Sequence, residues 1–324
     1  MKSTIKELFA CVIITIIMPL LLFNAWRAVK NLQNSNQPKP NITPDSTSLE
    51  TLPTEILTHI LVLLDDGTVS VMDLEEYLLG VVTGEMPSDF DIEALKAQAV
   101  VSRTYALRSR EYGSKHPDAD VCTDSTCCQR YVNNTAGGYD SKIQKAVLAT
   151  KGLILTYENQ LIEATYFASS GGRTEDAVAV WGNDVPYLKS TESPEDEYIQ
   201  QQVETRTLTV REFLDSLSLL AGSVDIHDIT YTAGGGVDMI NICGTEFRGT
   251  QVRKLLNLPS TMFYITVIDD HVLITSKGHG HRVGMSQYGA EAMAVDGATY
   301  EEILLHYYLG TTLEYFVDKG SPIG

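Results

Sequence analysis

Three sets of side chains in this chain have the type and spacing to do chemistry. The first is a single carboxyl group. Leu74, Tyr77, Leu78 and Val81 recur at helical spacing, and the next positions on that face are Gly84 and Glu85. Pro87 follows at once and stops the helix. A carboxylate at the C-terminal end of a helix, beside apolar neighbours, is disfavoured by desolvation and by the helix dipole alike. Both effects raise its pKa, and a carboxyl still protonated near neutral pH can act as a general acid. An exposed or salt-bridged glutamate at a helix end fits the same spacing. The second is Arg103, set among Ile92, Leu95, Ala99, Ala106 and Arg110 on one face of the next helix. A buried guanidinium requires a carboxylate partner or a ligand, and the spacing alone allows both.

The third set is "KHPDADVCTDSTCCQRY", in which His116, Cys122 and Cys128 stand six residues apart. One imidazole and two thiolates at loop spacing suit tetrahedral Zn²⁺, with water or Cys127 in the fourth position. A Cys122–Cys128 disulfide fits an extracytoplasmic chain equally. Cys11 and Cys243 lie far from this segment. His279 and His281 form an H-x-H pair without a third convincing ligand nearby, and no H-E-x-x-H helix occurs in the sequence. A zinc here is therefore expected to hold a loop, and a zinc-dependent amidase is disfavoured.

Capping-box spacing at Asp73 and Glu76 starts the helix that ends in Glu85, and Asp89 or Asp91 starts the next, which runs toward Tyr112. Strands are expected at 153–157 and 161–167, closed by Ser169, Ser170, Gly171 and Gly172. From Met262 the pattern reads as a hairpin and then a Gly-rich loop that leads into a helix. Thr299 and Glu302 cap a last helix. Hairpins and helices without regular alternation imply an α+β fold with mixed sheets and packed helices.

Ahead of it, Leu8 to Trp26 is apolar and uncharged over about the length that spans a bilayer, which predicts one N-terminal transmembrane helix. The expected organisation is a cytoplasmic tail and anchor over 1–28, a polar linker over 29–51 and an extracytoplasmic catalytic domain over 52–324. Among 324 residues, 42 Asp and Glu against 24 Lys and Arg give a net charge of -18, with no basic run, so a nucleic-acid partner is excluded.

"GVVTGEMP" followed by "ALKAQAVVSRTYA" resembles the signature of the stage II sporulation protein D family, which includes the amidase enhancers. The resemblance continues in order through "YFASSGGRTEDA", "VPYLKS", "GTEFRGTQVRKLLNLPSTMF" and "GHGHRVGMSQYGA". It implies a cell-membrane lytic transglycosylase that cuts denuded peptidoglycan glycan strands during engulfment in sporulation. On that resemblance Glu85 is the general acid/base and Arg103 orients it or binds sugar. Ser169, Ser170, Tyr187 and Lys189 are implied to line the glycan cleft, and His116, Cys122 and Cys128 match the zinc-binding loop of some relatives. Gln287 and Tyr288, at the end of the Gly-rich loop, offer a hydrogen bond and a stacking face for sugar. The implied partners are stage II sporulation proteins P and M. A non-catalytic glycan-binding enhancer of an amidase is the rival reading.

Overall fold

A hairpin opens the folded region: β1 (His59–Leu63) and β2 (Val69–Asp73) pair antiparallel. Asp73 ends the hairpin and starts α1 (Leu74–Glu85), its carboxylate accepting the Glu76 N–H at 3.0 Å. That bond satisfies one of the donors a helix leaves open at its start. α1 ends on Glu85 just before Pro87, where the sequence pattern predicts a stop. Asp91 caps α2 (Ile92–Tyr112), a helix of 21 residues buried almost all round from Ala94 to Thr104. β3 (Val121–Cys122) then joins β1 in parallel.

After α3 (Ser141–Ala149) the chain forms β4 (Leu153–Tyr157), β5 (Gln160–Leu161), β6 (Tyr166–Phe167) and the short α4 (Ala177–Trp181). A second lobe follows: β7 (Val203–Thr209), α5 (Val210–Ser216), β8 (Ile226–His227), β9 (Met239–Ile242), β10 (Thr245–Arg248), α6 (Gly249–Leu255), β11 (Phe263–Ile268) and β12 (His271–Lys277). The chain returns through β13 (Met285–Ser286), α7 (Gln287–Val295), α8 (Tyr300–Tyr307) and β14 (Thr312–Tyr315). This computed structural model describes residues 58–134, 137–195 and 203–317, all within the unit Ile56–Gly324.

The first core is built around α2, with α1, α3, α7, α8 and β4 packed against it. The second lies inside the inserted lobe, where Phe213, Ile240, Ile242, Val252, Val272 and Ile274 meet. Arg282, fully buried, ties the two together: its guanidinium donates to Glu175 Oε1 at 3.1 Å and to the carbonyls of Ser170, Arg173 and Gly234 at 2.7, 2.8 and 2.6 Å. Helices and small mixed sheets coexist as the pattern predicts, but two expectations are corrected. No helix among the described residues is long and apolar enough to cross a membrane, and the segment Leu8–Trp26 that carried that expectation lies outside them. The strand expected over 161–167 is two short strands in different sheets, because the chain turns sharply where Thr165 N–H donates to Glu163 O at 2.9 Å.

Arg103 has a structural partner. Its Nε and Nη2 donate to Glu75 Oε1 and Oε2 at 2.8 and 2.6 Å, a two-pronged pair, and Nη1 reaches Leu153 O at 3.1 Å. Gly152 N–H adds a bond to Glu75 Oε1 at 3.2 Å. The guanidinium thereby joins the first turn of α1, the middle of α2 and the start of β4. Glu75 and Glu85 sit at opposite ends of one helix, roughly 15 Å apart at 1.5 Å per residue, so the expectation that Arg103 reaches Glu85 is corrected. Removing one partner of such a pair strands the other charge. Arg103→Ala should therefore cost about 3–5 kcal/mol of stability, read as a lower urea midpoint. A midpoint equal to wild type would show that the pair does not hold these three elements.

Candidate functional site

Glu85 is held by a segment that lies directly on α1. Val132 N–H donates to Gly80 O at 3.1 Å. A Cβ on Gly80 would stand 2.2 Å from the Tyr131 ring, and one on Gly84 would stand 2.7 Å from Arg130 O. Real side chains do not come this close, so the two glycines of "GVVTGE" are what allow the contact. It brings Arg130 N–H to 2.6 Å from Glu85 Oε1. Tyr166, from β6, donates its hydroxyl to the same oxygen at 3.0 Å. Gln287, at the start of α7, donates to the other oxygen, Oε2, at 3.4 Å.

The direction of these bonds is fixed from behind. Tyr77 OH donates to Gln129 Oε1 at 3.3 Å, which orients the Gln129 amide so that its Nε2 donates to Tyr166 OH at 3.1 Å. Tyr166 is then left with its own proton to give to Glu85. With two good donors on Oε1 and one long contact on Oε2, the proton of a neutral Glu85 belongs on Oε2. Burial pushes the Glu85 carboxyl above its ordinary range, against the pull of Arg130 N–H, Tyr166 and Gln287 in the other direction. No carboxylate is among the principal groups that set this balance. The arrangement suits proton donation from one oxygen of a fixed carboxyl.

Next to this seat lies a cluster of one nitrogen and three sulfurs. β3 carries Cys122, a single turn carries Cys127 and Cys128 with both N–H groups donating to Asp124 O, and His116 follows α2. The ligand atoms of His116, Cys122, Cys127 and Cys128 all lie within 4.8 Å of one another. His116 Nε2 stands 3.4 Å from Cys128 Sγ and 3.6 Å from Cys127 Sγ, and the two sulfurs are 4.0 Å apart. A tetrahedral ion with metal–sulfur bonds near 2.3 Å implies edges of about 3.8 Å, so the four groups fit a metal. All three sulfurs are free. A cleft of about 650 Å³ borders the cluster and is lined also by Arg130 and Tyr131, whereas Glu85 is not among its lining residues.

The structure gathers some of the expected site residues and separates others. Gln287 adjoins Glu85, and Tyr288 packs edge-on against Phe90, ring centroids 5.4 Å apart. Ser169 and Ser170 are fully buried: Ser170 donates to Glu195, and Ser169 Oγ has no hydrogen-bond partner among the described residues. Tyr187 OH accepts the Glu163 N–H at 3.0 Å, and Lys189 pairs with Asp184. His281 packs between Phe167 and Trp181, where burial pushes its pKa down to about 4, and the described residues bring no metal ligands to it. Tyr166, Gln129 and the Arg130 backbone escaped the sequence reading, as did Cys127 as a full member of the cluster. Gln129 and Arg130 directly follow Cys128, but nothing local shows which way a backbone N–H will face.

Residues 65–157 match the model of a family described as stage II sporulation protein. The stage II sporulation protein D of Bacillus subtilis strain 168 is 38% identical over 283 residues, which is 83% of this chain and 82% of that protein. That of Bacillus amyloliquefaciens is 40% identical over 259 residues, 76% of this chain and 75% of the other. An amidase enhancer of Bacillus subtilis strain 168 is 32% identical over 296 residues, 73% of this chain but 40% of that protein. The chain belongs to the stage II sporulation protein D family, a family of sporulation proteins related to the amidase enhancer.

The seat of Glu85 makes a prediction at Gly84. Alanine favours a helix by about 1 kcal/mol over glycine, whereas overpacking costs about 1–3 kcal/mol. With Arg130 O only 2.7 Å from the new Cβ, the clash should win and Gly84→Ala should be net destabilising. Segment 130–132 must lift, and Arg130 N–H must leave Glu85. Losing that donor should raise the Glu85 pKa further, read by carboxyl NMR titration. An unchanged titration and melting temperature would show that the glycine contact does not set the acid.

Proposed function

We propose that this chain is a lytic transglycosylase that cleaves the glycan strands of peptidoglycan, acting outside the cytoplasm during sporulation. The observation that carries the reading is Glu85: one carboxyl, its proton affinity raised by burial, its Oε1 held by two donors and its Oε2 left to carry a proton. Oε2–H protonates the glycosidic oxygen between N-acetylmuramic acid and N-acetylglucosamine, and the bond from that oxygen to C1 breaks. The carboxylate so formed takes the proton of the muramic 6-hydroxyl, whose oxygen closes onto C1 as a 1,6-anhydro ring. Glu85 ends protonated as it began, and no water is consumed. A two-carboxylate hydrolase needs a second acid to act as nucleophile or to activate water. An intramolecular nucleophile removes that need, consistent with the surroundings of Glu85.

Gln287 and Tyr288 are the expected sugar-binding residues that the position of Glu85 supports best. The resemblance to the sporulation relatives supports denuded strands as substrate, and sporulation proteins P and M as partners. Similarity to an amidase enhancer favours a second reading, in which the chain binds glycan without cutting it. The carboxyl separates the two. Glu85→Gln should keep fold and glycan affinity and lower cleavage by about 10²–10⁴-fold, the contribution of a positioned acid–base group. Mass spectrometry should find anhydromuramyl ends with wild type and few with the variant. Equal product from both would remove Glu85 from the chemistry, and reducing muramic ends would indicate a hydrolase.

We assign Zn²⁺ to the cluster, held by His116, Cys122, Cys128 and Cys127. Such an ion would supply a cross-link between the end of α2, β3 and the segment that leads to Arg130. Purification under reducing conditions should yield about one zinc per chain by elemental analysis, lost in Cys122→Ser. Chelation should lower the melting temperature more than the initial turnover. No metal, or turnover lost at once with melting unchanged, would reject a structural zinc.

A further inference from the structure

Glu195 is fully buried and lies far in sequence from Glu85. Its carboxylate is held by neutral donors. Ser170 Oγ donates to Oε1, Gly172 N–H reaches the same oxygen at 3.2 Å, and Ser286 Oγ donates to Oε2 at 2.8 Å. Ser170 follows β6 by three residues, and Ser286 is the second residue of β13. These two strands form a parallel ladder of only two rungs, Tyr166 opposite Met285 and Phe167 opposite Ser286. Around the two rungs, Tyr288 N–H donates to Ala168 O at 3.0 Å and Thr165 Oγ1 to Val283 O at 3.1 Å, and Glu195 adds a charged tie beyond them. Tyr166 on one strand and Gln287 immediately after the other hold the two oxygens of Glu85.

Ser286 is also the N-cap of α7, accepting the Gly289 N–H at 3.2 Å, so whatever holds its hydroxyl holds the first residue of that helix, Gln287. We propose that Glu195 is a positioning residue: by clipping the ends of β6 and β13 together, it sets the distance between the Tyr166 hydroxyl and the Gln287 amide and so fixes Glu85 between them. Glu195 touches neither Glu85 nor a substrate in this account. The role rests on Glu85 being the acid of the proposed reaction, but the positioning itself is a property of the chain without substrate.

The variant to test is Glu195→Gln, which keeps the shape and gives up one acceptor oxygen. With its oxygen kept toward Ser170 and Gly172, the amide must donate to Ser286 Oγ, and the charge-assisted bond that Ser286 gave the carboxylate becomes a weaker neutral one, so the hold on β13 loosens. Ser170→Ala, which removes the Ser170–Glu195 bond and leaves the Ser286 cap of α7 in place, serves as a second variant should the first fold poorly. The titratable and charged groups that face Glu85 are Arg130 from the segment on α1 and Tyr166 from β6, with Tyr77 behind. Releasing Tyr166 or Gln287 removes donors that favour the carboxylate, so the Glu85 pKa should rise.

Glutamate labelled with ¹³C at the carboxyl, in the full chain, reads this directly, with Glu85→Gln assigning the resonance. The expected result is an upward move of the Glu85 titration in both variants. Turnover on denuded glycan should fall on the order of tenfold to a hundredfold, the cost of a small misplacement, with KM little changed. The basic limb of the pH–rate profile should move to higher pH, since the acid form now persists further. A Glu85 titration that coincides with wild type in both variants overturns the proposal, even if melting temperature falls. If wild type cuts no glycan while the titration still moves, the transglycosylase reading fails and the positioning role of Glu195 stands.

Discussion

Segment 130–132 rests on α1 at the only places where the helix offers no side chain, Gly80 and Gly84. With the Arg130 carbonyl pressed against Gly84, the N–H of the same residue falls on the carboxyl of the next helix position, Glu85. A backbone donor is well suited to this task, since it has no rotamers to lose and no charge to titrate. Most of the site is arranged around that contact. Tyr166 reaches the same oxygen from β6, Gln287 the other from α7, and Gln129, next to Arg130, sets the direction of the Tyr166 proton.

The identity of these neighbours matters as much as their positions. A guanidinium paired with a carboxylate lowers its pKa by about 1–3 units, which would work against a group that must hold a proton near neutral pH. Arg103, the buried cation of the neighbouring helix, is instead consumed by Glu75 at the far end of α1. Glu85 is left with a backbone N–H, a phenol and an amide, which orient it while burial keeps its proton affinity raised. The same ion pair also fixes α1 against α2 and β4. One interaction thus serves the scaffold and keeps its charge away from the acid.

The His116–Cys122–Cys127–Cys128 cluster lies at the other end of the segment that covers α1. Cys128, Gln129 and Arg130 are consecutive, so the cluster, the polarity of Tyr166 and the backbone donor to Glu85 share three residues of chain. Across the site, β6 and β13 are joined by two rungs, by flanking bonds such as Tyr288 N–H to Ala168 O, and by a buried carboxylate. The acid is therefore bounded on each side by a short piece of chain whose position depends on a polar cluster behind it.

The sequence by itself determined the local features. Asp73 and Pro87 bound the helix that ends in Glu85, the apolar spacing buries one side of it, Thr299 with Glu302 caps the last helix, and the hairpin before the Gly-rich loop follows from its pattern. These rest on backbone hydrogen bonds and side-chain periods that span a few residues. The cysteine spacing likewise announced a cluster, though not that Cys127 completes it. What only the tertiary structure decided is which group faces which. Arg103 had the same inward register whether it met Glu75 or Glu85, and the choice came from where α1 crosses α2. Ser170, with a glycine pair after it, reads as a turn or a sugar ligand until Glu195, 25 residues on, is found buried against it. Pairings between distant segments are set by packing of whole elements, and a linear pattern holds no record of that geometry.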